Sequence, residues 1–203
     1  MKPESQNLND YLISDAIVDW QTPDVRQKAL ELTRSLTDEI DKARCLYEWV
    51  RDIIPHTNDA GLEIVTCTAS EVLHHGTGTC FSKSHLLAAL LRANNIPAGF
   101  CYQVLRLDPP VDNELVLHGL NGVYLASLGK WIRLDARGNT RGVNAQFSVD
   151  KEQLAFPMEA SAGESLYDTI YAAPVKNVVN KLKKYESRRE LWLDLPKAFE
   201  NTT

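Results

Sequence analysis

Along the first half of the chain, apolar residues recur at helical spacing. In the second half they crowd into short runs broken by turn residues. Val25, Ala29, Leu32 and Leu36 make one stripe behind Thr22, a threonine N-cap followed by Pro23 and Asp24 in a predicted first turn. Ile40, Ala43, Leu46, Tyr47, Val50, Ile53 and Ile54 follow the i, i+3, i+4, i+7 rule and predict a second helix after Thr37. Asp38 and Glu39 suit its positive end, and Pro55 closes it. Thr68-Ala69-Ser70-Glu71 is a capping box that opens a short helix through Leu73. After the Gly76-Thr77-Gly78-Thr79 loop, Leu86, Leu87, Leu90 and Leu91 around Ala88 and Ala89 predict a helix from Cys80 to the stop at Asn94-Asn95-Ile96-Pro97. The helix after Thr37 is its predicted partner, since both carry wide apolar faces.

From Ala98 the pattern turns to strands. Residues 100–107 read as one strand ended by Asp108-Pro109-Pro110, and 115–126 as a second. After a tight turn at 127–130, residues 131–135 form a third, antiparallel to the second. A further strand is expected near Phe147, and a last amphipathic helix follows Pro174 through Val175, Val178, Val179, Leu182 and Tyr185. Its Lys181, Lys183, Lys184, Arg188 and Arg189, mixed with Glu186 and Glu190, read as a solvated face. Residues 1–9 are expected to be a loosely attached lead, with an apolar segment of open type at 12–20. Helices first and strands after predict an α+β fold, N-terminal helices packed on an antiparallel sheet.

The 203 residues carry a net charge of −5, which gives no basic footprint for nucleic acid. No apolar run approaches the roughly 20 residues of a membrane span, and the polar N-terminus has no signal-peptide core. A cytoplasmic protein is therefore expected. Without repeats or a linker rich in Pro, Gly or Ser, 1–203 is read as one domain. Cys45, Cys67, Cys80 and Cys101 match no zinc spacing and should be free thiols in a reducing compartment. Cys45 and Cys101 are read as core. No metal and no cofactor are expected.

Only Cys80 has a glycine-punctuated loop in front of it and a helix start beneath it. Backbone N–H groups and the helix dipole at that place favour thiolate, the nucleophilic form. A nucleophilic cysteine needs a base and a group to orient the base. His74 and His75 read as helix-end residues, and His85 as a surface or groove residue rotated away from Cys80. His56 follows Pro55 and can reach the site from the side. His118 sits at a strand start in Leu117-His118-Gly119-Leu120, and Asp135 ends the apolar run of the next strand. Counting from a turn centre near 128–129 sets His118 opposite about residue 139, so a bulge or register offset is required to bring Asp135 level.

Gly78-Thr79-Cys80, Leu90-Leu91-Arg92-Ala93-Asn94-Asn95-Ile96-Pro97-Ala98, His118 and Trp131-Ile132-Arg133-Leu134-Asp135-Ala136 together resemble the transglutaminase-like superfamily over residues 38–140. The resemblance implies a papain-like core in a single-domain member, with 150–203 as a C-terminal helical extension to which no function is given. It implies Cys80 as nucleophile, His118 as general base and acid, and Asp135 as the orienting carboxylate. The Cys80 N–H would meet the oxyanion with an upstream side-chain donor. No tryptophan stands where animal transglutaminases place that donor, so His56 is the candidate, with Thr79 as a further oxyanion or substrate contact. The implied activity is a thiol hydrolase or acyltransferase on amide or peptide bonds. Its substrate is expected to be a peptide, protein or small amide, with hydrolysis favoured. A non-catalytic peptide-binding module of the same fold is the alternative, and a zinc protein a distant third.

Overall fold

The computed structural model describes residues 1–106 and 114–199. The N-terminal half holds β1 (Lys2–Pro3), α1 (Pro23–Thr33), α2 (Glu39–Ile53), α3 (Ala69–His75) and α4 (Cys80–Ala93). The second half holds β2 (Ala98–Arg106), β3 (Leu115–Leu125), β4 (Lys130–Leu134), β5 (Ser165–Leu166), β6 (Thr169–Ile170), α5 (Lys176–Lys184) and α6 (Arg188–Leu193). The main sheet is antiparallel with strand order β4-β3-β2-β5. This is the expected α+β arrangement of helices on an antiparallel sheet.

The central element is α4. It packs against α1, α2 and α3 on one side and against β2 and β3 on the other. Every residue from Phe81 to Arg92 is buried. A helix covered all round must bury its polar residues too, and each then needs a partner. Ser84 donates to the Phe81 carbonyl, and His85 bonds the Cys67 carbonyl at 2.6 Å. Arg92 donates to the carbonyls of Ile13, Ala98 and Ala172. That arginine of the 90–98 motif is therefore structural: it ties the start of β2 and two distant segments to the end of α4.

Local signals were met closely. Thr68 and Glu71 form a reciprocal capping box at α3, and Asn95 ends α4 in the left-handed conformation at φ 60°. At α2 the cap is Asp38, whose side chain accepts the Asp41 N–H. Thr22 makes no side-chain cap; its hydroxyl donates to the Asp19 carbonyl instead.

Other expectations are corrected. Residues 1–9 are anchored: β1 pairs in parallel with β6, and the adjacent turn seats Tyr11, fully buried, with its hydroxyl on the Ile170 carbonyl. Ile53 lies outside the α2 stripe at 60% exposure, and Cys45 is only half-buried. No strand forms at Phe147; residues Gln146 and Gln153 make one isolated bridge there. The Asp108-Pro109-Pro110 stop lies outside the described residues. Four of the basic residues of α5 and α6 are paired, Lys181 and Lys184 with Asp194, Arg188 and Arg189 with Glu63.

Candidate active site

Cys80 is the first residue of α4, where backbone N–H groups have no carbonyl one turn earlier to bond. Thr79 caps this end. Its hydroxyl accepts the Ser82 N–H, and the Ser82 hydroxyl accepts the Thr79 N–H at 3.0 Å. Facing α4, β3 presents His118 and then Gly119. A Cβ at Gly119 would lie 2.8 Å from the Phe81 ring and 3.1 Å from the Phe81 Cα. Only glycine lets the histidine strand run this close to the cysteine helix.

The β3–β4 register pairs Asn121 with Leu134, which continued would set residue 137 opposite His118. No bulge is needed. The ladder stops at Leu134, the chain leaves the strand, and Asp135 reaches back. His118 Nε2–H donates to Asp135 Oδ2 at 2.8 Å, and the neighbouring Cys80 acts on the same ring. Both His118 and Asp135 are buried.

Two further N–H groups converge on Asp135. Ala155 donates to Oδ2 at 2.9 Å, and Arg137 to Oδ1 at 3.1 Å. Burial alone would raise this carboxyl's pKa; the His118 charge and these bonds reverse that and lower it. For His118, burial alone would lower the pKa. The Asp135 and Cys80 charges outweigh it and raise the pKa well above the ordinary imidazole value.

His56 enters from the loop after α2, paired with Gly78 by an isolated bridge. It is buried, and its Nδ1 accepts the Asn58 N–H at 3.3 Å, so the neutral ring carries its proton on Nε2. Burial, then the charges of Arg137, Lys83 and His118, hold its pKa well below the usual value. His85 is buried rather than groove-lining, on the Cys67 carbonyl. His74 and His75 sit at the exposed end of α3, as expected.

His56, Thr79, Cys80 and His118 open into one cleft of about 450 Å³. Its walls include residues of the C-terminal extension, to which the sequence reading gave no function. Phe156 sets its ring edge-on to His118, centroids 5.2 Å apart. The Arg137 guanidinium lies 5.4 Å over the Phe156 ring and is bidentate to Asp59 at 2.7 and 2.9 Å. Gln103, the cross-strand partner of His118, donates to the Phe156 carbonyl. Trp192 and Leu195 close the far wall. Segment 155–156 thus covers the histidine–carboxylate pair, and α6 shapes the cleft. The sequence held no periodic signal for either contribution.

A cysteine at a helix start, a histidine on the facing strand and a carboxylate just past the next strand define a papain-like α+β arrangement. Residues 26–136 match the transglutaminase-like superfamily, and the chain belongs to it. The structure is similar to that of a "Putative Cysteine Protease" from Cytophaga hutchinsonii, at 20% identity and a TM-score of 0.54, covering 66% of this chain and 43% of that one. A "putative protease" from Parabacteroides distasonis aligns at 18% identity and a TM-score of 0.43, over 64% of this chain and 25% of that one. The chain therefore spans less than half the length of either. No curated protein sequence matches it. Among the described residues, no helix is long and apolar enough to cross a membrane, and no cluster of three or more metal-ligating side chains occurs.

Proposed function

We propose that the protein is a thiol hydrolase acting on amide, peptide or ester carbonyls through an acyl-enzyme at Cys80. The observation that carries this is the His118–Asp135 pair, buried at 2.8 Å, with His118 and Cys80 opening into the same cleft. An imidazole whose pKa is raised by a carboxylate and by a thiolate is one poised to hold the proton that the thiol gives up.

The thiolate sulfur attacks the carbonyl carbon, and the carbonyl electrons move to oxygen. The backbone N–H of Cys80 and the Nε2–H of neutral His56 are the donors proposed for that oxyanion. The C–N bond then breaks as His118 gives its proton to the leaving amine, and a thioester to Cys80 remains. Water attacks the thioester, His118 takes its proton, and the acid departs with the thiol restored. An amine in place of water makes the same intermediate a transfer enzyme. The Thr79 hydroxyl is engaged in capping α4, so Thr79 serves by setting the direction of the Cys80 N–H. The apolar wall of Leu105, Val116, Leu117, Trp192 and Leu195 suits a substrate with an apolar group beside the scissile carbonyl.

The test is the pH dependence of iodoacetamide labelling, followed by mass spectrometry. Cys67 and Cys101 are internal controls, because burial pushes both thiols up to about 11. Cys80 is expected to label near pH 6, and His118→Ala to lose that reactivity. Equal labelling of Cys80 in both proteins across the range refutes the pair and favours the non-catalytic peptide-binding module.

A further inference from the structure

Three residues after Cys80, on the same helix, Lys83 is completely buried. Lysine is almost never found so unless its charge is answered. Here the answer is three backbone carbonyls. Nζ donates to Arg137 O at 2.8 Å, to Arg51 O at 3.4 Å and to Ile54 O. These acceptors use all three N–H bonds of an ammonium.

The acceptors belong to two different segments. Arg51 and Ile54 lie at the C-terminal end of α2, where carbonyls lack helical partners and the dipole favours a cation. Ile54 leads through Pro55 to His56. Arg137 lies two residues past Asp135, and its own N–H is bonded to that carboxylate. We propose that Lys83 is the positioning residue of this site: one buried ammonium fastens the His56 loop and the Asp135 loop to the helix that carries Cys80.

The charged groups around it come from every neighbouring element. Burial, then the Arg137 charge, pushes the Lys83 pKa down to about 7, against the pull of Asp135, Asp59 and Asp52. An apolar side chain of similar length would fill the space with no donor left for the three carbonyls. The effect on Cys80 rests on the triad reading; the fastening of the loops does not.

Lys83→Met tests both in the full chain at pH 6.5. Hydrogen exchange is followed in peptides covering 54–58 and 135–139, with α1 as control. Alkylation of Cys80 is followed against pH. At least tenfold faster exchange is expected in both segments and not in α1, with the low-pH labelling of Cys80 lost as in His118→Ala. A folded variant with wild-type exchange in either segment overturns the proposal, as does an unchanged labelling profile. If the wild type itself shows no low-pH labelling, the thiol-enzyme reading fails, and exchange alone decides whether Lys83 fastens the loops. Should Lys83→Met not fold, Gly138→Ala replaces it. A Cβ there lies 3.3 Å from Nζ and 3.2 Å from the Arg51 carbonyl, at a φ of +112°. The same changes at smaller amplitude are expected, and their absence overturns the proposal.

Discussion

Asp135→Asn separates charge from shape at the candidate triad. The carboxylate is met by three donors: His118 Nε2–H and Ala155 N–H at one oxygen, and Arg137 N–H at the other. An amide has one acceptor oxygen. Turned toward His118 and Ala155, it leaves the Arg137 N–H facing an NH2 group. Turned the other way, it sets NH2 against both other donors and forces the imidazole into the wrong tautomer. Each arrangement leaves one backbone N–H unmatched, Arg137 in the first and Ala155 in the second, and only in the first can His118 still act as a base. Its charged form has then lost its counter-ion. Opposite unit charges about 4 Å apart attract by about 4 kcal/mol at an effective dielectric of about 20. At about 1.4 kcal/mol per factor of ten, that bounds the loss at roughly a thousandfold. The retained amide dipole returns part of this, so Cys80 labelling at pH 6 should fall by roughly a hundredfold while labelling above pH 9 changes little. The assay is the iodoacetamide profile by mass spectrometry, with circular dichroism to confirm the fold. A folded Asp135→Asn protein that labels like wild type at pH 6 refutes the claim that the carboxylate sustains the imidazolium.

Gly119→Ala places a methyl 2.8 Å from the Phe81 ring and 3.1 Å from its Cα, so β3 must retreat from the first turn of α4. A cost of about 1–3 kcal/mol is expected by urea unfolding, together with slower low-pH labelling of Cys80; full retention of both would show that the approach is not tight. For acid stability, His85 is the group to follow. Burial, opposed by its bond to the Cys67 carbonyl, pushes its pKa down from 6.5 to about 4. Below 6.5 the unfolded chain therefore takes up a proton that the folded one refuses, and stability falls with pH. The full shift amounts to about 3 kcal/mol. The depressed His56 acts in the same direction. The raised His118 stays protonated when folded, while its unfolded ring completes protonation just below 6.5, so it opposes the decline slightly at that end of the window and not below it. Urea midpoints at pH 6.5 and 4.5 should differ less in His85→Leu than in wild type, and an equal decline in both would reassign the effect.

What could be read from the chain was what neighbouring residues decide. The Thr68–Glu71 box, the Cys80 helix start and the tight turn before Trp131 are local, and each formed where its residues require. His118 and Asp135 were legible because a hairpin brings consecutive strands together; only the register was misjudged, by two residues. Polar residues inside α4 were not legible. A lysine or histidine in a periodic pattern reads as an outward position. Lys83, His85 and Arg92 point inward because helices and sheet enclose α4 on every side, and that enclosure is a property of the whole fold. The pairing of Lys2–Pro3 with Thr169–Ile170 spans most of the chain, and Phe156 returns to His118 across a loop with no periodic pattern. Neither leaves a trace in local composition.

The charges around the site allow a proton to move between Cys80 and His118 at constant net charge. Arg51 is paired with Asp52, Arg137 with Asp59 and His118 with Asp135, which leaves the Lys83 ammonium as the cation without a carboxylate of its own. Its carbonyl partners satisfy its hydrogen bonds but carry no net charge. In the proposed working state the Cys80 thiolate supplies the missing negative charge, so the cations Arg51, Lys83, Arg137 and His118 balance Asp52, Asp59, Asp135 and the sulfur. With thiol and neutral imidazole the count is also zero, so moving the proton from sulfur to His118 shifts charge within the cluster without creating any. A transfer of that kind in a buried site avoids most of the desolvation cost of making an isolated ion. Removing the lysine charge leaves the same cluster net negative, which opposes a thiolate. Removing the Asp135 charge leaves it net positive, which opposes an imidazolium. The two substitutions should thus weaken Cys80 reactivity at low pH from opposite electrostatic sides.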